Sequence, residues 1–301
     1  MTLHQQLTAG TLWPLLVGAT QRAIARGVLQ PIRTRQMFID DGGVRFVVRQ
    51  VSSLERKAGQ GQKQHDVTDN PFLPYEKELF VGDISPSHLA LLNKFNVIEH
   101  HLLIVTRRFE EQEVLLTLAD LHALWTCMTE FMALGFYNGG VVAGASQRHK
   151  HLQLVPLPLA EEGPAVPIEP LLVDVSPGMT ITTLPGLPFT HAYMRLDPEL
   201  ARDASHAADI TLESYHALLH AVGLQALRVA SEQRQSAPYN LLVTRDWMLL
   251  VPRSREYFQS VSVNALGFAG SLFVRNREEM RAINAAGPMT VLQQVACNRR
   301  P

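Results

Sequence analysis

The nineteen-residue stretch from Asn138 to Pro156 constrains this chain more than any other. It opens on Gly139-Gly140, passes through Gly144-Ala145-Ser146-Gln147 and runs into His149-Lys150-His151-Leu152-Gln153-Leu154-Val155. Side chains of a strand alternate between its two faces. Extended backbone over 149–155 therefore sets His149, His151, Gln153 and Val155 on one surface, and Arg148, Lys150, Leu152 and Leu154 on the other. An isolated His-x-His suits a solvated strand face first and a metal site second. The glutamine and the small-residue approach shift the reading toward attack on phosphorus. A neutral imidazole is a nucleophile near pH 7 and can carry a covalent intermediate. Gln153 can donate to a non-bridging phosphate oxygen without taking up a proton. Small residues at Gly144, Ala145 and Ser146 let backbone N–H groups come close to an anion.

Composition enters as a set of exclusions. With 46% hydrophobic and 18% charged residues over 301 positions, the chain reads as a folded globular protein of one large domain or two smaller ones. A net charge of −1 argues against a dedicated nucleic-acid binder but leaves room for a local basic pocket. Two distant cysteines, Cys127 and Cys297, supply neither a disulfide framework nor a Cys-x-x-Cys zinc site. No apolar run is long enough to span a membrane and no signal peptide opens the chain, so a cytoplasmic location with no membrane partner is expected.

Along the chain, residues 1–27 carry helical spacing with Leu12, Leu15, Leu16 and Ala19 on one side. Residues 44–51 read as a strand, 59–66 as a polar loop, and 88–106 as two strands joined at Asn96–His101. Adjacent His100 and His101 invite a metal reading, but no cysteine or acidic cluster stands near them in sequence. Thr117 is a predicted N-cap with Asp120 in the first turn. Leu118, Leu121, Leu124, Trp125, Met128, Phe131 and Met132 form an apolar stripe, and Gly135 is the expected end of that helix. Eight prolines from Pro156 to Pro188 mark a stiff crossing segment. A helix is expected at about 210–233, then a hairpin turning at Arg245-Asp246. The small-residue strip 261–271 permits close backbone approach, to a strand or to a ligand.

Asn138-x-Gly, Gly144-x-Ser146 and His149-x-His151-x-Gln153 together resemble the transferase branch of the histidine triad superfamily. The block Gly144-Ala145-Ser146-Gln147-x-His149-Lys150-His151-Leu152-Gln153 is similar to that of the ATP adenylyltransferases, or diadenosine tetraphosphate phosphorylases. Asn70–Tyr75, Leu92-Asn93-Lys94-Phe95, His101–Thr106, Pro188–Ala192, 238–253 and 261–271 agree with the same family, so the likeness covers roughly residues 40–292.

That resemblance implies an α+β fold: a histidine-triad-like antiparallel sheet with packed helices, plus a C-terminal α+β extension completing it. Residues 1–160 would form the catalytic region, 161–190 the Pro-rich crossing and 191–301 the C-terminal adenylyltransferase region. It implies His151 as nucleophile in a two-step, reversible transfer of AMP that converts diadenosine tetraphosphate and phosphate into ATP and ADP. His149 would orient the site, and Gln153 and Ser146 would hold phosphate oxygens. Lys57, Asn93, Lys94, Asn138, Gly144, Ala145, Gln147, Asn264 and Gly267 complete the expected substrate-binding set. Lys57 reads equally as a solvated surface lysine, whereas a polar strand end is the lesser reading of Asn93-Lys94. Mg2+ is expected to accompany the polyphosphate, with no protein ligands assigned. Glutamine at 153, where hydrolytic relatives commonly carry histidine, resembles the branch in which phosphate rather than water takes the nucleotide. Alternatives on the same residues are an ADP-sulfate adenylyltransferase, a hexose-1-phosphate uridylyltransferase and a non-catalytic dinucleotide sensor.

Overall fold

The computed structural model describes residues 6–51, 70–172 and 180–299. Its strands, in chain order, are β1 (Thr34–Asp41), β2 (Val44–Val51), β3 (Phe80–Asp83), β4 (His88–Leu92), β5 (Leu102–Thr106), β6 (Ala133–Gly139), β7 (His151–Pro156), β8 (Ala192–Arg195), β9 (Ala226–Val229), β10 (Glu232–Gln235), β11 (Tyr239–Val243), β12 (Trp247–Pro252), β13 (Tyr257–Phe258), β14 (Val261–Ser262) and β15 (Ser271–Val274). Eight of them form one antiparallel sheet in the order β3-β4-β5-β7-β6-β11-β12-β8. β6 pairs with β11, setting Asn138 opposite Asn240, so strands from both sides of the Pro-rich segment share one ladder.

The central strands are near-continuous apolar runs because both sheet faces are covered. On one face lie the helices Leu12–Ala25, Leu118–Met128 and Ala204–Ala221, whose Leu16, Leu121, Trp125, Tyr215 and Leu218 pack with Ile104, Leu152, Leu154, Leu241 and Leu250. On the other, Leu134, Phe136, Val155, Leu242 and Val251 share a core with Phe46 and Val48 of the three-stranded sheet β1-β2-β15 and with Ile283 and Leu292 of the helices Arg277–Ala286 and Pro288–Val295. A separate cluster of Phe72, Leu89, Leu91, Leu103 and Val105 covers the β4–β5 end of that second face. His151 stands opposite Val105, and Gln153 lies between Leu103 and Phe136. The polar stretch of β7 thus occupies the seam between two apolar clusters.

Several sequence expectations hold in the structure: β2 at 44–51, the β4–β5 pair, the hairpin at Arg245-Asp246, and Thr117 with Asp120 as a reciprocal capping box. Others need correction. The helix begun at Thr117 stops at Met128, not Gly135. Gly135 lies inside β6, where a Cβ would sit 2.8 Å from Leu124 Cδ1. Its bare Cα lets the helix approach the sheet. Met132, beyond the helix end, is exposed. The helix expected at 210–233 spans Ala204–Ala221, capped by Asp203, which accepts from Ser205 N and His206 N. Gly223, at φ +79°, turns the chain into the β9–β10 hairpin. The 261–271 strip resolves into β14, the short helix Ala265–Phe268 and β15. Among the described residues no helix is long and apolar enough to cross a membrane.

Candidate active site

His149 and His151 both turn toward Phe72, while Lys150 between them turns to the helical face and is fully buried against Asp120. His151 Nδ1–H donates to the carbonyl of His149 at 2.8 Å. A carbonyl can only accept, so the proton is on Nδ1 and the lone pair on Nε2, which makes no hydrogen bond within the described residues. Burial pushes the His151 pKa down to about 4, against the opposing pull of the His149 carbonyl. The imidazole is therefore neutral at pH 7, with the lone pair on Nε2.

His149 has no such free nitrogen. Its Nε2–H donates to the Thr106 carbonyl at 2.9 Å, and Nδ1 accepts from Asn70 Nδ2 at 3.0 Å. Asn70 Oδ1 in turn accepts from Phe72 N at 3.0 Å. Desolvation lowers the His149 pKa as well. It is thus the backbone of His149, not its ring, that orients the neighbouring His151 ring. Phe72 packs edge-on against His151, 5.1 Å between ring centroids.

Gln153 is aimed by a residue that sequence reasoning weighed only as a metal ligand. His101 Nε2–H donates to Gln153 Oε1 at 3.0 Å, and His101 Nδ1 accepts from Asn93 Nδ2 at 3.3 Å. Burial pushes the His101 pKa to about 4, so this relay is neutral. With Oε1 occupied, the Gln153 amide presents its N–H groups, the donors a phosphate oxygen requires. Asn93 enters the site through His101. Lys94 Nζ is paired with Glu76 at 2.7 Å near the surface, and Lys57 lies outside the described residues.

The small-residue loop precedes these side chains in sequence. Gly140 and Gly144 adopt φ +87° and +88° on either side of a single turn at Val141–Ala143. Ser146 is exposed and Gln147 half-buried; neither side chain has a hydrogen bond among the described residues. Ala145 is buried, its N–H donating to Gly140 O at 3.2 Å. From below, Asn138 Oδ1 accepts from Asn240 Nδ2 at 2.8 Å and from Ala265 N at 2.9 Å. Asn240 and Arg253 both donate to the Ala143 carbonyl, at 2.9 and 3.3 Å. Arg253 is a buried cation braced by carbonyls and an amide, its pKa pushed down to about 10 by burial. Asn264 Oδ1 caps the Ala265–Phe268 helix by accepting from Leu266 N. Gly267 is buried, and a Cβ there would stand 2.7 Å from Val263 Cγ1. The sequence had marked Asn70, Asn240 and Arg253 within notable stretches without assigning them roles.

The close approach expected of the 261–271 strip occurs at Gly144. A Cβ there would lie 2.8 Å from Asn264 Cβ and 2.9 Å from both Asn264 Cα and the Val263 carbonyl. Gly144→Ala combines left-handed strain of about 1–2 kcal/mol with overpacking of about 1–3 kcal/mol, a loss of about 2–5 kcal/mol. Gly163→Ala, at φ +94° with nothing within 4 Å, is expected to carry only the strain. Urea unfolding of the two variants checks the difference. Equal losses would refute the close-packing account.

Fold and site together define an α+β protein in which a buried, neutral histidine follows a turn of small residues, and the chain is a nucleotidyltransferase by its domain match. The chain belongs to the Ap4A phosphorylase family. Its residues 2–174 match the Ap4A phosphorylase N-terminal domain and residues 185–298 the ATP adenylyltransferase C-terminal domain. It is 27% identical over 258 residues to diadenosine 5',5'''-P1,P4-tetraphosphate phosphorylase 2 of Saccharomyces cerevisiae, covering 76% of this chain and 75% of that protein. Protein APA1 of the same yeast is 26% identical over 258 residues, covering 77% and 76%. The crystal structure of yeast Ap4A phosphorylase Apa2 shares the fold with a TM-score of 0.79 at 23% identity, covering 98% of this chain and 100% of that one. Its complex with Ap4A aligns with a TM-score of 0.77 at 22% identity over the same shares.

Proposed function

We propose that this chain phosphorolyses diadenosine tetraphosphate reversibly to ATP and ADP. The observation that carries the reading is the Nε2 of a buried neutral His151, unpaired among the described residues, two positions along the strand from the half-buried amide of Gln153. In the first step the Nε2 lone pair forms a bond to the α-phosphorus, the bond to the bridging oxygen breaks, and ATP leaves. In the second, an oxygen of inorganic phosphate attacks the same phosphorus, the N–P bond breaks, and ADP departs with the imidazole neutral again. Gln153 donates to a non-bridging oxygen in both steps, and the backbone N–H groups of Ser146 and Gln147 with the Ser146 hydroxyl receive the remaining phosphates, since the N–H groups of Gly144 and Ala145 are spent on Val141 O and Gly140 O. The yeast relative that bears the phosphorylase name has been crystallised with AMP and with Ap4A, which supports nucleotides as the ligand class.

Mg2+ enters this proposal as a companion of the polyphosphate. Among the described residues no group of three or more His, Cys, Asp or Glu gathers to hold a metal ion, and no protein ligand is assigned to it.

The deciding experiment incubates the protein with diadenosine tetraphosphate, with and without phosphate, and resolves the products by chromatography. ATP plus ADP, formed only with phosphate, is the expected result. ATP plus AMP without phosphate would make the chain a hydrolase. Transfer from a UDP-sugar in place of the dinucleotide would make it a uridylyltransferase.

A further inference from the structure

The ladder between β6 and β7 ends early. Its last pair is Phe136 with Gln153; the same register continued would set Asn138 opposite His151. The side chain of Gln112 is interposed there instead. Its Oε1 accepts from His151 N at 2.9 Å, and its Nε2 donates to the His151 carbonyl at 3.2 Å and to the Asn138 carbonyl at 2.9 Å. One amide thus replaces the peptide group of a missing strand neighbour and bonds both main-chain groups of the nucleophile.

Gln112 is itself held. It is 1% exposed, its N–H donates to Arg148 O at 2.8 Å, and its carbonyl accepts from the Tyr137 hydroxyl. Lys150 N donates to Glu110 O at 2.8 Å, and Glu111 pairs with His149. The 110–112 segment therefore lies along 148–150 as a short extra strand. This matters for the chemistry because the His151 ring is aimed by a bond to the carbonyl of His149, two residues back in the same main chain. Any shift of the His151 peptide shifts the ring. The opening between Asn138 and His151 also gives the loop at 139–147 its separate course.

We propose that Gln112 is a positioning residue for His151, setting the nucleophile's backbone through a side-chain amide. The inference rests on the reading of His151 as the nucleophile. It requires both halves of the amide: the acceptor for His151 N–H and the donor for the two carbonyls.

The test uses the full chain, with diadenosine tetraphosphate and phosphate as substrates. Gln112→Met keeps the length and removes every bond; kcat is expected to fall about 10²-fold with KM within about twofold, as for a misaligned reacting group. Gln112→Glu keeps the shape and the acceptor but sets an oxygen against two carbonyls. Only on protonation does that carboxyl regain a donor, and burial raises its pKa. Its kcat relative to the parent is therefore expected to rise as pH falls from 8 to 5.5, whereas a purely structural role predicts a flat ratio for the folded protein. A folded Gln112→Met with parental kcat, or a flat Gln112→Glu ratio, overturns the proposal. If Gln112→Met melts below the assay temperature, the Gln112→Glu ratio decides alone. His151→Ala run alongside separates the two readings. Turnover surviving that change overturns both, while a dead His151→Ala beside an unimpaired Gln112→Met overturns only the role of Gln112.

Discussion

His151→Ala is expected to lower kcat for phosphate-dependent breakdown of diadenosine tetraphosphate by on the order of 10⁴-fold or more, the scale seen when a covalent nucleophile is deleted. On the proposed mechanism, the substitution removes the one imidazole nitrogen of the site that makes no hydrogen bond among the described residues. No neighbour can replace it, since His149 commits Nε2 to Thr106 and Nδ1 to Asn70, and His101 commits its two nitrogens to Gln153 and Asn93. Rapid quenching at neutral to mildly alkaline pH, followed by intact-mass measurement, should find an adenylate-sized gain in the parent and none in the variant. Turnover that continues without any such gain mapping to residue 151 would end the proposal.

The same histidine sets the acid side of the pH profile. Attack requires the neutral ring, and burial holds its pKa at about 4. The acid limb of kcat/KM should therefore fall near pH 4, well below the ordinary histidine value of about 6.5. Stability moves in the same direction. His151 and His101 titrate near 4 in the folded state and near 6.5 unfolded, so between those values the unfolded chain binds more protons. Each contributes a loss of about 1.4 kcal/mol per pH unit as pH falls through that window. Rates must accordingly be normalised to the folded fraction below pH 6.

Lys150→Met is expected to cost about 3–5 kcal/mol of folding stability, the scale of breaking a buried ion pair by deleting one partner. The Lys150 ammonium is fully buried, 2.7 Å from Asp120 Oδ2, 3.0 Å from the Leu115 carbonyl and 3.3 Å from Glu110. Burial by itself would raise the pKa of Asp120. The His88 hydrogen bond and the charge of Lys150 outweigh it and hold the carboxyl well below the usual range. Removing Lys150 leaves that buried carboxylate without its ammonium partner, held only by His88 and Thr117, beneath the segment that carries both histidines. Lys150→Met combined with Asp120→Asn should recover part of the loss, because the stranded charge goes with its partner. Urea denaturation of the two single variants and the double variant measures the coupling. Single losses below about 1 kcal/mol would refute the buried pair as a stabilising anchor.

How much of this was legible beforehand depended on the range of the interactions involved. The opposed faces of His151 and Lys150 could be read directly, since alternation needs only extended backbone. The Thr117–Asp120 capping box was equally legible, because both partners lie within one helical turn. Gly135 was misread as a helix end because a helix stop and a close sheet contact both call for a missing Cβ. Only the position of Leu124 distinguishes them. The helix at Ala204–Ala221 lies earlier in the chain than its apolar spacing suggests, because Asp203 caps its start and Gly223 turns the chain just past its end. His101 and Gln112 gave no local sign of their roles, since their partners come from strands far along the chain.

The order of residues by itself determined that two imidazoles and an amide share a strand face behind a small-residue loop, because side-chain alternation is a property of the backbone. Only the tertiary structure decided which imidazole keeps a free nitrogen, which end of the amide faces outward, and what holds the nucleophile's main chain. Those choices belong to hydrogen-bond partners from distant segments, and burial turns them into a neutral, aimed and reactive histidine.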